Sequence, residues 1–271
     1  MTSTTSATSA AVGQDVLFRR EGRVAWLTFN RPESRNAMTF EMYQEIVRVC
    51  DGLENDDELR VLVLTGAGDK AFVAGTDINQ FKTFTDPEHA LDYESRIDAV
   101  IGRLERFPKP TIAMIRGYAV GGGAQLALAC DMRICAPNAR FGVPIARTLG
   151  NCLSTNGFAR LVDLVGPART KELIFTARMI DAEEGLAIGL VNEIVEMDQL
   201  EARTTELAET IAGHAPLTIQ TAKEAVRRVL EYRRPERSAN QDLILKAYMS
   251  EDFKEGVYAF LEKRKPDWKG R

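Results

Sequence analysis

Arg116-Gly117-Tyr118-Ala119-Val120-Gly121-Gly122-Gly123-Ala124-Gln125-Leu126-Ala127-Leu128-Ala129-Cys130-Asp131 is the stretch whose reading decides the fold. The apolar run at 111–115 before it has strand character and the Ala- and Leu-rich residues after it favour a helix, so three consecutive glycines fall where a strand turns into a helix. Glycine lets a ligand approach the backbone, and the first turn of a helix has N–H groups without intrahelical partners at the positive end of its dipole. By itself, such a turn serves tight packing or anion binding equally well.

A second stretch points to chemistry. Lys70-Ala71-Phe72-Val73-Ala74-Gly75-Thr76-Asp77-Ile78 follows the strand-like Arg60-Val61-Leu62-Val63-Leu64-Thr65, so another small-residue turn offers another backbone N–H. Two preorganised donors converging on one point are what an enzyme needs to stabilise an enolate or a tetrahedral oxyanion. Just before, Gly66-Ala67-Gly68-Asp69-Lys70-Ala71 has the GxGxxA spacing of a dinucleotide fingerprint. Phe72-Val73-Ala74-Gly75 reads as extended or turning where that motif requires a helix, so dinucleotide binding is set aside. The glycines at 121–123 do not fit a GxxxxGK[ST] phosphate loop either.

Working outward, Val16-Leu17-Phe18 and Val24-Ala25-Trp26-Leu27-Thr28-Phe29 read as two strands around Glu21-Gly22. Thr39 is the expected N-cap of a helix to about Leu53, with Met42, Ile46, Val49 and Leu53 on its core face. With the strand at 60–65 this gives a β–β–α–β opening. Residues 79–106 are polar with weak helical periodicity through Phe81, Phe84, Leu91, Tyr93, Ile97, Ile101 and Leu104, and read as a mobile helical cover. Beyond the glycine triplet, a strand at 132–136 precedes helical segments at about 155–164, 168–175 and 182–188. A short strand returns at 189–195, and from about Met197 the pattern is nearly all helical.

The 271 residues allow one large domain or a domain with an appendage. Residues 1–14 are expected to be a flexible tail, 15–200 the core, and 201–271 a helical C-terminal region that drives oligomerisation. The net charge of −4 and a pI near 5.5 argue against a broad nucleic-acid surface. No apolar run approaches the ~18–20 residues of a membrane span. Cys50, Cys130, Cys135 and Cys152 form no CxxC pair and have no His cluster beside them. No metal site or disulfide framework is therefore expected, and reduced cytoplasmic thiols fit. His89 reads as a surface residue and His214 has no catalytic context.

At these residues the chain resembles the crotonase (enoyl-CoA hydratase/isomerase) superfamily. The similarity rests on Phe72-Val73-Ala74-Gly75-Thr76-Asp77-Ile78 and Gly117-Tyr118-Ala119-Val120-Gly121-Gly122-Gly123. Asn30-Arg31-Pro32-Glu33-Ser34-Arg35-Asn36-Ala37-Met38 and Gly256-Val257-Tyr258-Ala259-Phe260-Leu261-Glu262-Lys263-Arg264 extend it, so that it covers about residues 15 to 269. The resemblance implies an α/β spiral of β–β–α units with a helical C-terminal region, assembled as a trimer or a dimer of trimers. It implies an acyl-CoA thioester as ligand, coenzyme A being part of the substrate and no other cofactor being needed. The N–H groups of Thr76 and Gly122 would form the oxyanion hole. Arg35, Ala37, Lys70, Ala74, Asp77 and Ile78 would meet the CoA and acyl portions, together with Phe260 and Lys263 from the C-terminal segment, of the same or a neighbouring subunit. The tail's Leu243, Leu245, Tyr248, Phe253, Val257, Tyr258, Phe260 and Leu261 are expected to supply the apolar interface.

The sequence departs from the family pattern at the chemistry. Hydratases of the superfamily hold and activate one water with two glutamates, one of them two residues after the glycine triplet. Here that position is Gln125, the second falls near Ile145-Ala146, and no acid occurs between Arg140 and Arg160. An amide can hold a water but cannot act as a general base near neutral pH. The polar candidates near the site are Gln125, Arg147, Thr148, Asn151, Cys152 and Ser154, with Asp77 the nearest acid. Gln125, Arg147 and Asn151 are the candidates for direct roles beside the oxyanion hole. An enoyl-CoA hydratase/isomerase-type enzyme that is a poor hydratase is the expectation. The alternatives are a decarboxylase or other lyase whose Arg147 reads a substrate carboxylate, or a member that binds acyl-CoA without chemistry.

Overall fold

The computed structural model describes residues 8–11, 14–83, 86–232, 234 and 241–271. Strands β1 (Thr8–Ala11), β2 (Val16–Glu21) and β3 (Val24–Phe29) open the chain as an antiparallel meander. β1 lies within the segment expected to be a flexible tail. Its small Ser and Ala residues add to the free edge of β2 through backbone pairing, which a side-chain reading does not register. Helix α1 (Phe40–Leu53) starts where Thr39 Oγ1 accepts the Met42 N–H at 3.3 Å, and it buries Met42, Ile46 and Val49.

A repeat follows. β4 (Val61–Gly66) leads to β5 (Ala71–Val73) and, after a 3₁₀ segment at Ile78–Thr83, to α2 (Pro87–Glu105). β6 (Thr111–Ile115) leads to β7 (Tyr118–Val120) and α3 (Gly122–Ala129). β8 (Met132–Cys135) leads to β9 (Arg140–Gly142), α4 (Ile145–Thr148) and α5 (Thr155–Thr176). The first strand of each unit joins a seven-stranded sheet of order β1-β2-β3-β4-β6-β8-β11, where β11 is Glu193–Ile194. The second joins a four-stranded sheet of order β10-β9-β7-β5, where β10 is Ile180–Asp181. From β3 to β11 all pairings in the larger sheet are parallel. Such an arrangement requires a crossover between neighbouring strands, and here the crossover carries the second strand and the helix. The chain therefore advances as a spiral, and its main core fills the space between the two sheets and the helices.

Helices α6 (Ala182–Ala187), α7 (Leu200–Ala212), α8 (Pro216–Glu231), α9 (Gln241–Tyr248) and α10 (Glu251–Leu261) complete the chain. α7 is not part of an appendage. Leu200, Ala208 and Ala212 are buried in one cluster with Val24, Trp26, Val61, Val63, Ile112 and Met114 of the large sheet, so the core extends to 212. α9 and α10 fold back over α2, where Ile244, Tyr248, Phe253 and Val257 bury against Phe81, Tyr93 and Leu149. Three of the eight apolar residues expected at a subunit interface, Tyr248, Phe253 and Val257, are thus buried within the chain itself, while Leu243, Tyr258 and Phe260 stay exposed. Phe84 lies outside the described residues. No helix among the described residues is long and apolar enough to cross a membrane.

Candidate active site

Because β5 and β7 are parallel neighbours, the turns that leave them emerge side by side. Gly75 (φ 108°) and Gly121 (φ 55°) both hold backbone conformations that disfavour a side chain, and a Cβ on Gly121 would come within 3.8 Å of the Gly75 Cα. Gly122 opens α3, where no side chain caps the helix. The N–H groups of Thr76 and Gly122 have no hydrogen-bond acceptor among the described residues. Thr76 is held in place by its side chain: Oγ1 lies 3.0 Å from the Tyr43 hydroxyl and 2.9 Å from the Tyr93 hydroxyl. Burial pushes the Tyr43 phenol up to about 12, so both phenols stay neutral hydrogen-bonding groups near neutral pH.

The two turns open into a pocket of about 160 Å³, room for a short acyl chain. Ala74, Thr76, Ile78, Gly121, Gly122, Gln125, Asn151 and Phe260 line it, together with Phe81, Tyr93, Ile97 and Ile101 from the cover. Gln125 is buried, and neither its Oε1 nor its Nε2 has a hydrogen-bond partner among the described residues. Asn151 donates through Nδ2 to the Tyr248 hydroxyl at 3.0 Å. Cys152 lines the wall, but burial lifts its thiol to about 12, far from the thiolate a nucleophile needs.

Other candidates stand apart from the pocket. Arg147 is exposed on α4 and is not among the pocket's lining residues. A one-turn helix carries it past the pocket wall that Ile145 and Thr148 form, a phase that the irregular sequence at 145–154 does not reveal. Asp77 is also absent from the lining. Burial works to raise its carboxyl, but hydrogen bonds from Asn79 and the charge and hydrogen bond of Arg31 outweigh it and hold the group below the usual carboxylate range. Asp77 is thus a fixed anion that ties the turn to the Asn30–Met38 loop rather than a spare acid. Arg35 and Lys70 are exposed and do not line the pocket: the Arg35 guanidinium sits 5.7 Å from the Tyr118 ring centre, and the Lys70 carbonyl accepts the Tyr118 N–H. Ala37 accepts from the Arg31 guanidinium at 2.7 Å. Lys263 is exposed just past α10, whose Phe260 reaches the pocket in the same chain.

Two acids that the sequence did not place at the site come from the cover. Glu94 and Asp98 are buried on α2 and line the pocket. Their signal was in the sequence: Ala90, Glu94 and Asp98 are spaced four apart, in phase with Ile97 and Ile101 on the face that turns inward. Asp98 accepts hydrogen bonds from Ser154 Oγ at 3.1 Å and Asn156 Nδ2 at 2.6 Å and pairs with Arg160 at 3.6 Å. Glu94 accepts a hydrogen bond from the Tyr248 hydroxyl. Burial, opposed by that bond and reinforced by the charge of Asp98, raises its carboxyl to about 7.

A spiral of two-strand repeats whose second strands end in paired small-residue turns defines the crotonase fold. Residues 19–271 match the family described as enoyl-CoA hydratase/isomerase. The chain is 39% identical to a short-chain-enoyl-CoA hydratase of Clostridium acetobutylicum, covering 93% of this chain and 96% of that one. It is 35% identical to a crotonyl-CoA hydratase of Syntrophomonas wolfei, covering 94% and 98%. Among solved structures, a methylmalonyl-CoA decarboxylase in complex with 2-nitronate-propionyl-CoA matches with a TM-score of 0.87 at 32% identity, over 95% of this chain and 99% of the other. The chain belongs to the enoyl-CoA hydratase/isomerase family and is an acyl-CoA-binding enzyme of that type.

Proposed function

We propose that the chain works through a thioester enolate, with the carbonyl oxygen held by the N–H groups of Thr76 and Gly122, and that it is a poor hydratase. The observation that carries this reading is two unengaged N–H groups at adjacent turns beside an apolar pocket whose family glutamate position is an uncharged, unpartnered Gln125. Negative charge on the oxygen grows as the enolate forms, so donors already in place lower the barrier; losing one such donor typically costs on the order of 2.7–4 kcal/mol. Ala74, Ile78 and Phe260 would contact the acyl and pantetheine portions. Arg35 and Lys70, with Lys263 beyond α10, would supply cations for the CoA phosphates, and the backbone around Ala37 and Asp77 would border the adenine end.

One observation favours a second reading. The likeness to a methylmalonyl-CoA decarboxylase suits a site without a glutamate pair, because loss of carbon dioxide delivers its electron pair directly to the enolate and needs no base. Assembly as a trimer or dimer of trimers is supported by α8, which buries none of its residues and exposes Leu217, Val226 and Val229, with Tyr232 exposed just beyond its end.

The test is the carbonyl stretch of bound, carbonyl-labelled crotonyl-CoA. A shift to lower frequency than in solution is expected. An unshifted band from a bound thioester rejects the oxyanion hole. Release of carbon dioxide from a 2-carboxyacyl-CoA, assayed in parallel, decides for or against the decarboxylase reading.

A further inference from the structure

We infer that the carboxyl group of Glu94 moves protons on the bound acyl chain, a role that rests on the enolate reading above. Glu94 reaches the pocket from the middle of α2 with its side chain buried. Its orientation is fixed from outside its own helix: Tyr248 on α9 donates to Oε1, and Asn151 in the loop before α5 donates to that same hydroxyl at 3.0 Å. A proton-transfer group needs a fixed position beside the substrate before its acidity matters.

The groups around Glu94 leave it alone in this capacity. Asp98, one turn further along α2, is occupied by Ser154, Asn156 and Arg160. Arg160 on α5 spends its charge on Asp98 and Glu105. Tyr93 beside it and Tyr248 facing it are phenols raised well above their ordinary value by burial, and the Cys152 thiol stands at about 12. Gln125 does not titrate. Burial and the charge of Asp98 lift Glu94, the bonds from Tyr248 and the Ser154 backbone draw it back, and it settles near 7, where one group can both take and return a proton.

The step balances without a co-reactant. As a carboxylate, Glu94 removes a proton from the carbon next to the thioester. The C–H electron pair moves into the bond to the carbonyl carbon, and the carbonyl π pair moves onto the oxygen held by Thr76 and Gly122. The proton on Glu94 is then returned to the same carbon or, for a 3-enoyl-CoA, to the γ carbon, which brings the double bond into conjugation with the thioester.

The experiment is deuterium uptake at the α carbon of butyryl-CoA in heavy water, followed by mass spectrometry across pH, with the bound carbonyl stretch recorded alongside. Wild type should exchange at a rate that rises to a plateau with an inflection near 7. E94Q should exchange about 10²–10⁴-fold more slowly while it keeps butyryl-CoA affinity and the carbonyl shift. Y248F should still exchange, with its inflection moved to higher pH, because the Tyr248 bond favours the charged carboxylate. Wild-type exchange rates in E94Q overturn the proposal, as does an inflection unmoved in Y248F, which serves even if E94Q does not fold. A wild type with a shifted carbonyl and no exchange overturns the role of Glu94 alone; one with neither overturns the enolate reading as well.

Discussion

A Cβ placed on Gly123 would lie 2.0 Å from the carbonyl oxygen of Val73, so the start of α3 and the end of β5 approach as closely as their backbones allow. That contact sets the separation of the two turns that carry Thr76 and Gly122. G123A must push them apart. Overpacking of this kind costs ~1–3 kcal/mol, and a lowered urea midpoint together with a smaller carbonyl shift for bound crotonyl-CoA is expected. An unchanged shift would show that the donors do not depend on this contact.

Hydration of crotonyl-CoA should be slow in the wild-type protein. A well-placed acid or base contributes typically 10²–10⁴-fold, and the amide of Gln125 supplies neither. Q125E should give a measurable but small gain, because position 145, where the family places the second glutamate, is an isoleucine and the new carboxyl would be buried. Loss of enoyl absorbance reports both, and ordinary hydratase turnover in the wild type would contradict the proposal.

The raised carboxyl of Glu94 makes stability depend on pH in a definite direction. Between 4.5 and about 7 the folded state holds a proton that the unfolded state has lost, so this group's contribution is present below 4.5 and fades as pH rises through 7. At ~1.4 kcal/mol per pH unit the swing is roughly 3 kcal/mol. The stability of E94Q relative to wild type should therefore rise by up to that amount from pH 4.5 to 8. Urea titrations at each pH measure it, and a constant difference would mean that Glu94 titrates normally.

Arg147 should be dispensable for both neutral and carboxylated acyl-CoA substrates, since it is exposed on α4 and absent from the pocket wall. R147A is expected to change KM by less than about twofold. A rise above tenfold confined to carboxylated substrates would place the guanidinium at the ligand after all. Stability should move within ~0.5 kcal/mol, as for other surface substitutions away from special contacts.

The sequence by itself determined the repeat and the turns. Alternating strand and helix periods, Thr39 as a cap, and glycines at 75 and 121–123 are local features, governed by sterics within a few residues, and they put Thr76 and Gly122 on the turns that leave β5 and β7. It also determined that the family glutamate at 125 is missing. Which side chains share the pocket was decided only by tertiary structure. Arg147 and Asp77 are near the site in sequence yet absent from the pocket wall, one through the phase of a short helix and the other through its tie to Arg31. Glu94 and Tyr248 are 154 residues apart and meet only because α9 folds back onto α2. Burial of a carboxyl depends on such long-range packing, so its shifted acidity had no local signature beyond the phase it shares with Ala90, Ile97 and Ile101 on the buried face of one helix.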